Sequence, residues 1–362
     1  MKNGFKKSLD LFKQRTLRRL SDKDEVQRIY PITKADLVYT KKCASCDSSN
    51  ATIIAEVHLK KLNFFTTVVC NDCTFVFRSV SPSFKWFLKN WKKIKSDKLE
   101  VFNPEVEAIR KIRYEKYYKL LSKYADRGKV LDIGAGYGTG SRVFKNHGYS
   151  VKSIEPEDNK AQYIERVLKI PVHKNNIDSF LSTKERYDFI ILAHCLEHID
   201  NPSNVLVRLK KLLNPSGILY VEVPILWNYI TWSDALYLTH KSNFDEEHIE
   251  YFVQNCGFTI LKRVRIRHSP REAFDLGLIL EVNNENTSFT TSKSINKEFE
   301  LDKVFKLYRK KLPLTNIPRI NTKLIYSVPH IDQFYCTLRF ENYKLGQSPN
   351  NPNVLIFSPK SL

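Results

Sequence analysis

The segment Val130 to Gly140, VLDIGAGYGTG, constrains this chain more than any other stretch. An apolar run of strand character enters three glycines at alternate positions, Gly134, Gly136 and Gly138, and a helical pattern follows. Such a turn bends sharply and lets a ligand reach bare backbone, while the first amides of the next helix remain unpaired and face it. Glycine spacing alone also fits ordinary loops and dinucleotide sites, so the neighbours have to decide. Asp132 stands at the junction of strand and turn, where it would repel a pyrophosphate and attract a cation. Glu155 closes the next strand, where a carboxylate can accept both hydroxyls of a ribose.

From Lys129 to about Asn283 short apolar strands alternate with helical stretches, which predicts an α/β architecture. Strands are expected at 130–133, 150–154, 187–193, 218–223, 259–265 and 276–282. In YDFIILAHCLEHI (187–199) and LKKLLNPSGILYVEVP (209–224) a buried strand carries polar residues only at its C-terminal edge. That is the edge where open α/β sheets bind ligands.

In this order and at these distances the segments resemble the motifs of class I S-adenosylmethionine-dependent methyltransferases. The resemblance implies a Rossmann-like sheet of seven strands, the last antiparallel, and S-adenosylmethionine as cofactor. Carried over, Asp132, Gly134, Ala135, Gly136 and Gly138 would surround the methionine part and Glu155 would hold the ribose. Asn176 with Ile177 would frame the adenine, although the family usually has an aspartate where Asn176 stands. His194 would line the cofactor pocket.

Methyl transfer to a hydroxyl or carbon needs a base near the methyl group. His194 and His198 beside the strand at 187–193, with Glu197 between them, and His240 in YLTHKSNF are the candidates, because histidine titrates near neutrality. The same four residues also read as a metal site. They resemble the ExxEH sites of metal-dependent RNA ribose and quinone O-methyltransferases, with His194 replacing the first glutamate. That replacement makes the set richer in nitrogen than Mg²⁺ prefers, and the base or substrate-binding reading is favoured.

Cys43-x-x-Cys46 and Cys70-x-x-Cys73 bring four thiols onto two turns of a small antiparallel β module, the pattern of a structural, tetrahedral Zn²⁺ site. A disulfide pairing is the poorer alternative in a reducing compartment. Cys195, Cys256 and Cys336 read as small buried hydrophobes. A zinc ribbon ahead of this domain type is similar to the arrangement in nucleotide-sugar and surface-polysaccharide methyltransferases, which implies a sugar acceptor. No second α/β domain is recognisable after Asn284, which favours O-methylation over C-methylation.

The expected organisation is a basic helical segment at 1–38, the zinc ribbon at 39–80, a helical bridge at 81–128, the cofactor domain at 129–284 and a C-terminal extension of unassigned role at 285–362. The formal net charge of +20 is concentrated at the front, where residues 1–128 hold 28 Lys and Arg against 14 Asp and Glu. That excess suits an acidic partner: a nucleotide diphosphate, RNA or anionic lipid. With 42% hydrophobic residues and no run long enough to span a bilayer, a globular cytoplasmic protein is expected, able to touch the inner membrane face through residues 1–38. Two other functions remain open. One is RNA methylation with the basic ribbon binding RNA; the other is a non-catalytic scaffold built on the cofactor fold.

Overall fold

A computed structural model describes residues 32–59, 62–95, 102, 104–226, 239–267, 274–283, 343–348 and 351–359. Most of the 1–38 segment and residues 284–342, Cys336 among them, lie outside the described residues. The front of the chain is β1 (Leu37–Tyr39), β2 (Ala51–Leu59), β3 (Leu62–Cys70) and β4 (Val76–Pro82), followed by α1 (Phe84–Lys95) and α2 (Pro104–Leu121). The strands read as they do because Val, Ile, Thr and Phe dominate them and the two cysteine turns punctuate them.

The second half opens with β5 (Lys129–Ile133), α3 (Thr139–Asn146), β6 (Ser150–Ile154), α4 (Asp158–Arg166), β7 (Val172–His173) and α5 (Ile177–Phe180). It continues through β8 (Tyr187–Ala193), α6 (Pro202–Leu209), β9 (Leu213–Val223), β10 (Ser242–Asn243), α7 (Glu246–Asn255), β11 (Phe258–Arg267) and β12 (Phe274–Val282). The hairpin β13 (Tyr343–Ser348) and β14 (Asn351–Pro359) closes the described chain.

Seven strands form one mixed sheet in the order β7-β6-β5-β8-β9-β12-β11. β5, β6, β7, β8 and β9 run parallel, and β12 runs antiparallel to both β9 and β11. This is the mixed sheet expected of a Rossmann-like methyltransferase, with β7 the one short strand not placed from the sequence. Both faces are buried. Leu131, Ile133, Ile190 and Leu192 enter one core, and Val130, Phe189, Ile191 and Tyr220 enter the other, the period-two alternation of strands covered on two sides. The strand order reverses between β5 and β8, so the crevice outside their C-terminal ends is the natural ligand site.

The remaining seven strands form a second sheet in the order β1-β4-β3-β2-β14-β13, with β10 paired to β4. Three of them, β10, β13 and β14, come from outside the 39–80 module. β10 joins after the methyltransferase-type sheet has begun, and β14 lies parallel to β2 through Leu355 to Phe357. Phe75, Phe77 and three of the ribbon cysteines share one continuous core with Phe244, Phe252 and the sheet around β8 and β9.

The bridge at 81–128 is helical as expected, but its buried face differs from the one its apolar periodicity predicts, which holds Ile109 and Ile112 together with Trp86, Phe87 and Tyr117. Trp86, Phe87 and Tyr117 are buried, while Ile109 and Ile112 are exposed. α2 docks instead through Glu107, Tyr117 and Leu121, because Gly140 has no side chain and the ring of Tyr114 fills that space. Among the described residues no helix is long and apolar enough to cross a membrane.

Candidate active site

The glycine turn takes the backbone its residues permit. Gly134, Gly136 and Gly138 have φ of +73°, +58° and +70°, a region that other residues rarely adopt. Gly138 caps α3, and a Cβ there would meet Ile164 and Leu168 at 2.8 Å, so its bareness also lets α3 and α4 pack closely. The two flanking acids are buried rather than solvated. Asp132 is 1% exposed; its Oδ2 accepts from Ser141 Oγ at 2.6 Å and its Oδ1 has no hydrogen-bond partner. Burial pushes its carboxyl up to about 6 despite the Ser141 hydrogen bonds.

Glu155 lies at the end of β6 and accepts from the Gly136 amide at 2.8 Å and the Glu157 amide at 2.9 Å. Burial raises it, with nearby Lys160 working in the opposite direction. Each Glu155 oxygen is thereby fixed by backbone and retains a second lone pair. Ala135 and Ile177 are buried, while Asn176 caps α5 by accepting from the Ser179 amide at 3.2 Å. From α2, Glu107 accepts from Thr139 at the start of α3 and from Arg110, whose guanidinium lies beside Gly136. Sequence reasoning missed this pair, because neither residue belongs to a local motif.

The histidines gather where β8 ends, but not as one quartet. Glu197, His198 and His240 form one group whose donor atoms all lie within 4.8 Å of one another. Glu197 is 1% exposed and neither of its oxygens has a hydrogen-bond partner. His198 Nδ1 lies 3.0 Å from the Thr239 carbonyl, to which it donates, leaving Nε2 facing Glu197. The rings of His198 and His240 are 5.0 Å apart, and burial holds His240 well below the usual imidazole range.

His194 belongs to a second group, with Glu222 at the end of β9 and Asp275 at the start of β12. Its Nε2 is 3.1 Å from Glu222 and 3.3 Å from Asp275, while Nδ1 is 3.7 Å from Glu197. Burial works to lower the His194 ring, but the carboxylates of Asp275, Glu197 and Glu222 beside it outweigh it and hold the ring well above the usual range. Glu222 and Asp275 were not singled out from the sequence. The VEVP segment carrying Glu222 was, yet only the pairing of β9 with β12 brings Asp275 beside it.

The four thiols of the ribbon converge as their spacing suggests. Cys43 Sγ is 3.6 Å from Cys73 Sγ, and Cys46 Sγ is 3.5 Å from Cys70 Sγ. These separations are too long for a disulfide and close to the edge of about 3.8 Å of a tetrahedron with metal–sulfur bonds near 2.3 Å. The two turns repeat the same hydrogen bonds: Asp47 N to Cys43 O and Cys43 N to Ser48 O in the first, Thr74 N to Cys70 O and Cys70 N to Phe75 O in the second. Hydrogen bonding from Cys43 brings Cys46 down to about 7, while the same contacts push Cys43 up. Cys195 is half-buried beside Gly134, and Cys256 is buried; burial raises both thiols.

Residues 107–263, from the docked part of α2 to β11, match the family described as "Methyltransferase domain". The chain carries a methyltransferase domain. Relatives of this domain include the ubiquinone biosynthesis O-methyltransferases of Actinobacillus pleuropneumoniae, 31% identical over 102 residues, and of Rickettsia canadensis, 28% identical over 111 residues. The alignments cover 25% and 29% of this chain, which spans 44% and 47% of those enzymes. Among solved structures, the 1,6-didemethyltoxoflavin-N1-methyltransferase of Burkholderia thailandensis, with bound 1,6-didemethyltoxoflavin and S-adenosylhomocysteine, aligns at 18% identity and a TM-score of 0.41. That alignment covers 56% of this chain and 86% of the other.

Proposed function

We propose that this protein transfers the methyl group of S-adenosylmethionine to a hydroxyl of a sugar, carried on a nucleotide or in a surface glycan. The observation that carries the reading is the pair of buried carboxylates on either side of the glycine turn, one with an oxygen still unpartnered. A cationic amino-acid nucleoside fits such a pocket, whereas an empty pocket would leave Asp132 Oδ1 uncompensated. Asp132 and the turn amides would hold the methionine part, Glu155 the ribose, and Asn176 with Ile177 would border the adenine.

The cofactor supplies an electrophilic methyl group on a positively charged sulfur. The protein's own task is then to orient the acceptor oxygen and take its proton, and the histidine groups at the same sheet edge suit that task. The names of the ubiquinone relatives support oxygen as the methylated atom. The sugar acceptor rests on the ribbon, whose four thiols would hold a structural Zn²⁺ beside the site.

The buried Glu197, with no hydrogen bond to either oxygen, favours one further reading of the same site, in which Glu197, His198 and His240 hold a divalent cation that orients the acceptor. Release of S-adenosylhomocysteine, screened across nucleotide sugars, glycans and RNA with and without a chelator, tests these readings. Turnover on nucleotide sugars is expected. Turnover on RNA that weakens steeply with salt would favour the RNA alternative, and failure to bind S-adenosylmethionine calorimetrically would leave the scaffold alternative.

A further inference from the structure

Lys160 breaks two local rules at once. It stands in the first turn of α4, where the helix dipole disfavours a cation, and it is 3% exposed, where an uncompensated ammonium is costly. Its surroundings supply the compensation. Nζ lies 3.1 Å from Glu157 Oε2 and 5.8 Å from the centre of the Tyr137 ring, over whose face a cation is favoured. Glu157 is the N-cap residue of α4, yet its side chain does not cap the helix and instead faces Lys160. These contacts close into a ring around the cofactor turn. Tyr137 sits between Gly136 and Gly138, the Gly136 amide donates to one oxygen of Glu155, and the Glu157 amide donates to the other. Tyr163 of α4 also meets Tyr137 edge-on at 5.5 Å, so α4 is tied to the turn a second time.

We propose that Lys160 is a positioning residue for the ribose of the cofactor, keeping the Glu155 carboxylate an acceptor to both hydroxyls while Glu157 and Tyr137 hold the ammonium in place. The inference rests on the assignment of Glu155 to the ribose. The two backbone amides fix where Glu155 points, but they leave its charge to the surroundings. Burial favours the neutral carboxyl, in which one oxygen carries a proton and meets a hydroxyl as a donor rather than as an acceptor. The nearby ammonium favours the ionised form, with acceptor capacity on both oxygens. Lys160 needs no contact of its own with the cofactor: its effect passes through Glu155.

Calorimetry on the full chain with S-adenosylhomocysteine and with its 2′-deoxy analogue tests this. Lys160→Met should weaken binding of S-adenosylhomocysteine about tenfold, and Lys160→Arg, which restores the charge, should regain most of it. The 2′-deoxy analogue, with one hydroxyl fewer, should lose less. In a Glu155→Gln background, where the carboxylate is already gone, Lys160→Met should cost nothing further. Where the apolar variant fails to fold, Lys160→Gln, whose amide can still donate to Glu157, takes its place with the same expected outcomes. A lysine that only supports the fold would cost the same for both ligands and in both backgrounds, and that result overturns the inference. Unchanged affinity in Glu155→Gln sinks the ribose assignment and this inference with it; a weakened Glu155→Gln beside an unaffected, folded Lys160→Met sinks this inference alone.

Discussion

Asp132 and Glu155 have different tasks although both are buried carboxylates beside one turn. Glu155 is braced by two backbone amides, so its orientation is set before any ligand arrives. Glu155→Ala is expected to weaken S-adenosylmethionine binding by about 1–3 kcal/mol, as when buried hydroxyls lose a charged acceptor; calorimetry showing unchanged affinity would remove the ribose assignment. Asp132 is held protonated up to about pH 6 by burial. Its folded pKa lies above the unfolded value, so the stability it contributes is present in acid and lost as pH rises through about 6. A cationic ligand prefers the ionised form and reverses that loss. Affinity for S-adenosylmethionine should therefore increase as pH rises through about 6, and Asp132→Asn should flatten the profile.

At the scale of elements, what the sequence made legible was whatever is local. The glycine turn, the strands flanking it, the two cysteine turns and the helical bridge all follow from spacing within about 20 residues. Ile109 and Ile112 are exposed because α2 docks through Tyr114 onto Gly140 of α3 and through Tyr117 onto Tyr220 of β9, contacts that helical periodicity alone does not select. Asp275 was invisible for a related reason: its partner His194 lies two strands away in the sheet, and only the antiparallel course of β12 brings it to the C-terminal edge of β8. The contact of α3 with α4 gives a test at this scale. Gly138→Ala forces a Cβ into a left-handed residue and against Ile164 and Leu168, and should destabilise the protein by about 2 kcal/mol, read as a lowered thermal midpoint. Gly148→Ala is the control, since φ there is also positive but nothing lies within 4 Å.

At the scale of the molecule the two sheets depend on each other. His248 on α7 lies 2.7 Å from Asp245 and 2.6 Å from the Cys73 carbonyl, and donates to both, joining the second cysteine turn to the methyltransferase domain. Arg78 on β4 donates its amide to the Lys241 carbonyl, and Lys241 in turn donates to the Glu197 carbonyl, so a single bonded path runs from the ribbon to the histidine cluster. On the proposed four-thiolate Zn²⁺ site, Cys43→Ser should abolish zinc binding and melt the cysteine module's part of the shared core, lowering the thermal midpoint of the whole chain rather than of residues 39–80 alone. Elemental analysis that still finds one zinc per chain would argue against the four-thiolate site.

The parallel seam between β14 and β2 carries a consequence for how the chain is assembled. Strand β2 leaves synthesis some three hundred residues before the segment that covers it, so that flank stays uncapped while the catalytic half forms, and its backbone groups are free to pair with a neighbouring chain. A truncation that removes residues 343–362 would make this temporary hazard permanent, and loss of solubility should then precede loss of cofactor binding.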